Sequence, residues 1–189
     1  MKTYISFDTE TTGFPRQPST PLQQQPRVIE LYAQKFVFRN AGPRGTFITL
    51  DEFHGIYNPG IRIPRRITEI TGIGDDDLAC CDPISDDWEA IRDFFRNADA
   101  VVAHNLRFDM QMMDIENRRF SHGYGFPWPQ TRICTMEETR HFVGRRIKLQ
   151  ALHKYLFGKG FDSAHRAKSD TFALTRCFAE LRKRDEITG

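Results

Sequence analysis

The apolar and polar positions change period along this chain, and the changes mark its elements. Thr3-Tyr4-Ile5-Ser6 is rich in strand formers, and a first strand is predicted over residues 1–8. Val28 to Phe38 has the same character, with Tyr32, Phe36, Val37 and Phe38. The turn residues Asn40-Ala41-Gly42-Pro43-Arg44-Gly45 follow, then a partner strand from Thr46 to Tyr57, so a hairpin is expected. Asn58-Pro59-Gly60 ends it. Residues 61–78 predict a short helix through Ile67 and Ile70, and a loop after Gly72 and Gly74. Trp88, Ile91 and Phe95 share one helical face, with Asp86 or Asp87 as the cap. Ala100 to Ala103 reads as a short strand. Leu106 to Phe120 reads as a helix with Phe108, Met112 and Ile115 inward and Asp109 one position off that stripe. A loop through Gly123, Gly125, Pro127 and Pro129 leads to a short strand at Ile133-Cys134 and a helix over Met136–Val143. Leu149, Leu152, Tyr155 and Leu156 mark a helix stopped by Gly158. The last helix begins near Ser169, with Ala173, Cys177, Phe178 and Leu181 inward. Strands first and helices alternating later predict a mixed α/β sheet.

One stretch breaks the pattern. Phe14 to Pro26 holds four prolines and four glutamines, so it is neither a helix interior nor a central strand. A polar loop of this length is either disordered or functional.

Composition narrows the class. With 189 residues, 39% hydrophobic and 28% charged, the chain suits one globular domain over 1–189. No apolar run reaches membrane-span length, and Asp8 arrives too early for a secretion signal. Cys80, Cys81, Cys134 and Cys177 form no Cys-x-x-Cys pair, which fits thiols in a reducing cytoplasm. A net charge of +2 is too small to demand a nucleic-acid partner.

The chemistry starts at Phe7-Asp8-Thr9-Glu10-Thr11-Thr12-Gly13. Alternate strand residues face one way, so Asp8 and Glu10 are neighbours roughly 7 Å apart. Two adjacent acids repel and add nothing to a core, and a cation between them removes the repulsion. Taken alone, the pair also reads as a solvated strand end. Two later groups change the balance. His104-Asn105-Leu106-Arg107-Phe108-Asp109 joins a strand end to a helix start, where a carboxylate is favoured by the helix dipole. His165-Arg166-Ala167-Lys168-Ser169-Asp170 puts an imidazole in a loop and an acid at the next helix start.

Taken together and in order, these three groups resemble the motifs of the DnaQ-like 3′–5′ exonucleases, and the resemblance covers nearly the whole chain. His165 fits the histidine (DEDDh) type; the sister group carries a tyrosine four positions before its last aspartate, where this chain has Arg166. The resemblance implies a ribonuclease H-like fold, a five-stranded mixed sheet flanked by helices. It implies that Asp8, Glu10, Asp109 and Asp170 hold two divalent cations, Mg²⁺ or Mn²⁺, with His165 as general base. Thr11, Thr12, Phe14, His104, Asn105 and Phe108 would line the pocket of the terminal nucleotide, His104 least directly. Arg62, Arg65, Arg66, Arg145, Arg146 and Lys148 are candidates for tracking phosphates, although charge runs are usually solvated faces.

The expected activity is therefore metal-dependent release of nucleoside 5′-monophosphates from the 3′ end of single-stranded DNA. An exoribonuclease of the RNase T or oligoribonuclease kind is the alternative within the fold. A catalytically dead module that only binds 3′ ends is opposed by the presence of all five catalytic residue types. The Phe14–Pro26 loop is longer than is usual in the family, which bears on substrate choice. The chain also stops soon after its last helix, without the tail by which the polymerase III epsilon subunit docks. A stand-alone enzyme is expected, with a polymerase partner less favoured.

Overall fold

The computed structural model describes residues 1–39, 46–120 and 123–187. Its centre is a five-stranded mixed sheet in the order β3-β2-β1-β4-β5. Strands β1 (Thr3–Thr11), β2 (Val28–Arg39) and β3 (Thr46–Ile56) form an antiparallel meander, whose predicted turn at 40–45 lies outside the described residues. Strands β4 (Ala100–Ala103) and β5 (Thr131–Cys134) are parallel to β1 and to each other. The order of connection therefore reverses between β1 and β4. The crevice outside the carboxyl ends of strands at such a reversal is where open α/β sheets bind ligands.

Alternation along β1 builds two cores. Ile5 and Phe7 face α3 (Trp88–Phe95) and α4 (Leu106–Phe120), in a cluster with Leu31, Val101, Trp88, Ile91, Phe95 and Met112. Tyr4 faces the other way with Phe36 and Val102, against α7 (Leu149–Phe157) and α8 (Ala167–Lys183), which contribute Leu152, Leu174 and Phe178. Ser6 lies on this second side too, hydrogen-bonded to Thr175 of α8. The same alternation carries Asp8 and Glu10 to the α8 side and Thr9 to the α4 side.

The structure departs from the sequence expectations at element ends. The first strand does not stop at residue 8; it runs on to Thr11, so Glu10 is still paired, opposite Glu30. A register shift between Glu10 and Thr11 then ends the regular ladder beside the acids. The loop expected after Gly72 contains α2 (Asp75–Leu78), whose first turn is entirely acidic and whose Asp77 accepts from the Gly74 N–H at 2.8 Å. The helix expected over 136–143 is two short ones, α5 (Thr135–Glu138) and α6 (Arg140–Val143), meeting at Thr139, whose hydroxyl bonds back to the Thr135 carbonyl at 2.7 Å. The seven-residue α1 (Arg65–Thr71) and α7 both end as expected on glycines, Gly72 and Gly158, in the left-handed conformation. The last helix starts at Ala167, two residues before Ser169. Tyr155, placed inward by periodicity, is 57% exposed. Among the described residues, no helix is long and apolar enough to cross a membrane.

The Phe14–Pro26 loop is ordered from within. Buried Gln25 accepts from the Arg16 N–H at 2.9 Å and donates to the Gln17 carbonyl at 3.0 Å. Arg119 of α4 donates to the carbonyls of Leu22, Gln25 and Pro26 at 2.7, 3.1 and 3.2 Å, and pairs with buried Glu116. A short 3₁₀ turn at Leu22–Gln24 completes it. Proline and glutamine make this segment look structureless in sequence; one buried amide and one guanidinium supply the partners its backbone needs. Gln25→Ala removes the amide's bonds to Arg16, Gln17 and Thr20 and leaves those backbone groups unmatched, a cost of about 1–3 kcal/mol. The expected result is a lower melting temperature and faster tryptic cleavage after exposed Arg16. Unchanged cleavage would show that Arg119 alone holds the loop.

Candidate active site

Asp8 and Glu10 leave the end of β1 on the α8 side, and Asp170 meets them from the first turn of α8. One carboxylate oxygen of each lies within 4.8 Å of the others. The approach of α8 is set by its packing over β1 and β2. Thr171 donates to the Tyr32 carbonyl at 3.3 Å and Thr175 meets Ser6, both within a turn or two of Asp170.

Asp109 comes from α4, across the sheet. It accepts from Thr9, backbone N–H at 3.2 Å and hydroxyl at 2.8 Å, and is buried. Those bonds hold it to the α4 side of β1, outside the tight group of three but close enough for its charge to be felt at Asp8. Thr9, the residue between the two strand acids, thus orients the third.

The acids oppose one another's ionisation. Burial, then the charges of Asp109, Glu10 and Asp170, hold Asp8 well above the usual carboxylate range. Burial with the charges of Asp170 and Glu30 pushes Glu10 up to about 8. Asp109 is raised by burial to about 7, against the opposing pull of Thr9's hydrogen bonds. Asp170 is raised by burial to about 6, opposed by its bond from the His165 N–H. Among the described residues no ion pair joins these acids, although the charge of Arg166 reaches Glu10. Their ligand atoms are all hard carboxylate oxygens, a set that fits Mg²⁺ or Mn²⁺.

His165 precedes α8 with φ +67°, a left-handed backbone uncommon for a residue other than glycine. Its N–H donates to Asp170 Oδ2 at 3.0 Å, and the residue is exposed.

The residues expected at the nucleotide pocket divide into two groups. Thr11 and Thr12 form a buried turn: the Thr11 hydroxyl donates to the Gly13 carbonyl at 2.8 Å, and Thr12 exchanges hydrogen bonds with Arg27. Phe14 is 79% exposed, and its ring meets that of Phe108, the neighbour of Asp109, edge to face at 5.7 Å. Asn105 is exposed at the start of α4, its carbonyl accepting from the Phe108 N–H. It borders a groove of about 470 Å³ lined also by Leu106, Arg107, Met110, Cys134 and Arg146. His104 is different. Its Nε2–H reaches the Ile147 carbonyl at 2.8 Å and its Nδ1 faces the Thr135 hydroxyl at 3.0 Å. With both nitrogens bound to the protein and its pKa lowered by burial, His104 is a neutral strut between β4 and the segment leading to α7. Of the basic candidates, Arg62, Arg65 and Arg146 pair with Asp75, Glu69 and Glu137.

Three residues that shape the region carry little signal in sequence: Gln25, Arg119 and Glu30. Glu30 is the most visible, a single acid within the apolar run Val28 to Ala33.

Comparison with known proteins agrees with this geometry. The family model described as Exonuclease, of the RNase T type, matches residues 5–178. Among curated proteins, the DNA polymerase III PolC-type of Lactococcus lactis is 31% identical over 97% of this chain, and that of Staphylococcus aureus 32% over 95%. The chain spans only 10% and 11% of those two polymerases. Among solved structures, E. coli exonuclease I in complex with a dT13 oligonucleotide superimposes with a TM-score of 0.73 at 16% identity, over 98% of this chain and 42% of that one. A 3′-exonuclease described for 3′-end-specific recognition of a histone mRNA stem-loop gives 0.70 at 13% identity, over 97% of this chain and 64% of that one.

Proposed function

This chain belongs to the exonuclease family, and we propose that it is a 3′–5′ exonuclease releasing nucleoside 5′-monophosphates from single-stranded DNA. The observation that carries the reading is the convergence of Asp8, Glu10 and Asp170 within 4.8 Å, with His165 bonded to Asp170. Asp8, Glu10, Asp109 and Asp170 would hold two divalent cations, Mg²⁺ or Mn²⁺. When bound, such ions polarise the scissile phosphate and make water nucleophilic near neutral pH.

The chain's own residues do the rest. Thr9 fixes the orientation of the Asp109 carboxylate beside the cluster. His165, exposed beside Asp170, accepts the proton of the attacking water. Phe14 and Phe108 offer ring faces and edges to the terminal bases, a contact indifferent to sequence. The Thr11-Thr12-Gly13 turn and Asn105 would line the pocket for the terminal nucleotide, and the groove beyond Asn105 would receive the strand behind it.

A second reading has its own support. The curated relatives are DNA polymerases of which this chain spans about a tenth, which favours proofreading within or beside a polymerase. The chemistry at the site is the same in both.

Polarity tests the activity. With Mn²⁺, a 5′-labelled single-stranded oligonucleotide should yield a descending ladder, and a 3′-phosphate should slow it. Immediate release of labelled mononucleotide would reveal attack from the 5′ end and end the proposal. Matched RNA and duplex DNA in the same assay rank the substrates; faster digestion of RNA would move the reading to the exoribonuclease alternative.

A further inference from the structure

Glu30 is an acid beside the catalytic acids that the proposed chemistry does not use. It lies on β2 directly opposite Glu10 and is fully buried. Unlike its neighbours it has partners on both oxygens. Arg166 grips it with two bonds, Nε to Oε2 at 3.0 Å and Nη2 to Oε1 at 3.1 Å. The Ala167 N–H donates to Oε2 at 3.2 Å, and His54 Nε2 lies 2.9 Å from Oε1. Burial alone would raise its pKa; the bonds from Arg166, His54 and Ala167 outweigh that and hold it below the usual range. Glu30 is therefore an ionised carboxylate with its oxygens already engaged by protein donors, and it stands outside the group of acids suited to a cation.

Its partners bracket the general base. Arg166 and Ala167 follow His165 directly, and α8 has no side-chain cap of its own, so Glu30 caps it from β2. Asp170 sits inside α8, whose body is held to the sheet through Thr171 and Thr175. His165 lies outside the helix, exposed, in a left-handed backbone conformation. Its N–H bond to Asp170 leaves the direction of the following residue open, and the Arg166–Glu30 pair closes it.

We propose that Glu30 is a positioning residue for the proposed hydrolysis: through Arg166 it clamps the segment carrying His165 to β2 and aims the imidazole at the water beside the acids. The inference rests on the exonuclease reading and on His165 as its base. Because α8 has separate anchors at Thr171 and Thr175, breaking the clamp leaves Asp170 in place among the acids and acts on the segment that carries the base.

Glu30→Gln keeps the shape but turns an amide toward a guanidinium donor. On 5′-labelled single-stranded DNA with Mn²⁺, kcat should fall about 10- to 100-fold, the usual scale for losing a partner that orients a catalytic group. KM should stay near wild type, and Mn²⁺ should still raise the melting temperature, although losing the Glu30 charge eases the repulsion felt by Glu10. Arg166→Lys, at a position 42% exposed, should act in the same direction by keeping the charge and losing the fork. If Glu30→Gln does not fold, Arg166→Lys is judged by the same criteria. The decisive comparison is made in a His165→Ala background. There Glu30→Gln should cost nothing further, because the group it positions is gone. An equal loss in both backgrounds, or loss of the Mn²⁺ shift, would overturn the proposal in favour of a general effect on the fold. A fully active Glu30→Gln beside an inactive His165→Ala would overturn the clamp alone. A fully active His165→Ala would overturn the catalytic reading and the clamp with it.

Discussion

His165→Ala is expected to lower turnover on single-stranded DNA by roughly 10²–10⁴, the scale of a lost general base. The residue is exposed, so the ring contributes little to the packing of the fold. Its backbone is committed, at φ +67° and with the N–H on Asp170. A substitution there changes both the base and the ease of holding that backbone, so two variants are needed. Asn tolerates the left-handed region better than Ala but takes no proton near neutral pH. His165→Asn should therefore be as inactive as His165→Ala while melting closer to wild type. In both, Mn²⁺ should still raise the melting temperature, since the imidazole is not a proposed ligand. Turnover within a few-fold of wild type in the Asn variant would reduce His165 to a loop residue.

Asp8→Asn is expected to stabilise the metal-free protein and to shrink its response to Mn²⁺. Asp8, Glu10, Asp109 and Asp170 all have raised pKa values in the folded chain, with Glu10 at about 8 and Asp109 at about 7. In the unfolded chain they titrate near the ordinary value of about 4. Between about pH 4 and 8 the folded state thus binds more protons than the unfolded state, and stability falls as pH rises. The metal-free protein should melt higher at pH 5.5 than at pH 8. Glu30, held low by Arg166 and His54, acts in the opposite sense only at more acid pH, and His104, lowered by burial, opposes the trend only below about pH 6.5, as one group against four acids. A cation that binds the folded cleft and not the unfolded chain adds about 2.7 kcal/mol at 100 times its dissociation constant. Wild-type protein at pH 8 should therefore recover on adding Mn²⁺. Asp8→Asn removes one like charge and one ligand, so its metal-free melt should depend less on pH and its Mn²⁺ shift should be smaller. Equal Mn²⁺ shifts in the two proteins would remove Asp8 from the cation site.

What was legible in the sequence is what a local pattern can carry. Alternation put Asp8 and Glu10 on one face of a strand, and the opposite face of that strand went to Thr9, as the pleat requires. Helical spacing put Met112 and Ile115 into the core from α4, and Phe178 and Leu181 from α8. The three acidic and imidazole groups were recognisable because each is a short segment at an element's end, where residue order and spatial order still coincide.

Tertiary structure decided the pairings between distant segments. That Asp170 joins Asp8 and Glu10 while Asp109 stays on Thr9 depends on which face of β1 each helix covers. That His104 is a strut follows from the approach of the Ile147 carbonyl, 43 residues away. The loop that composition left open is ordered because Gln25 is buried within it and Arg119 reaches it from α4. Glu30 reads in sequence only as a lone acid in an apolar strand because its meaning is its partner, Arg166, 136 residues on. A side chain's own chemistry is written at its position, but whether its charge repels, caps or clamps depends on what folding brings within a few ångströms. A buried ion must find that partner or lose its charge, and the fold decides which.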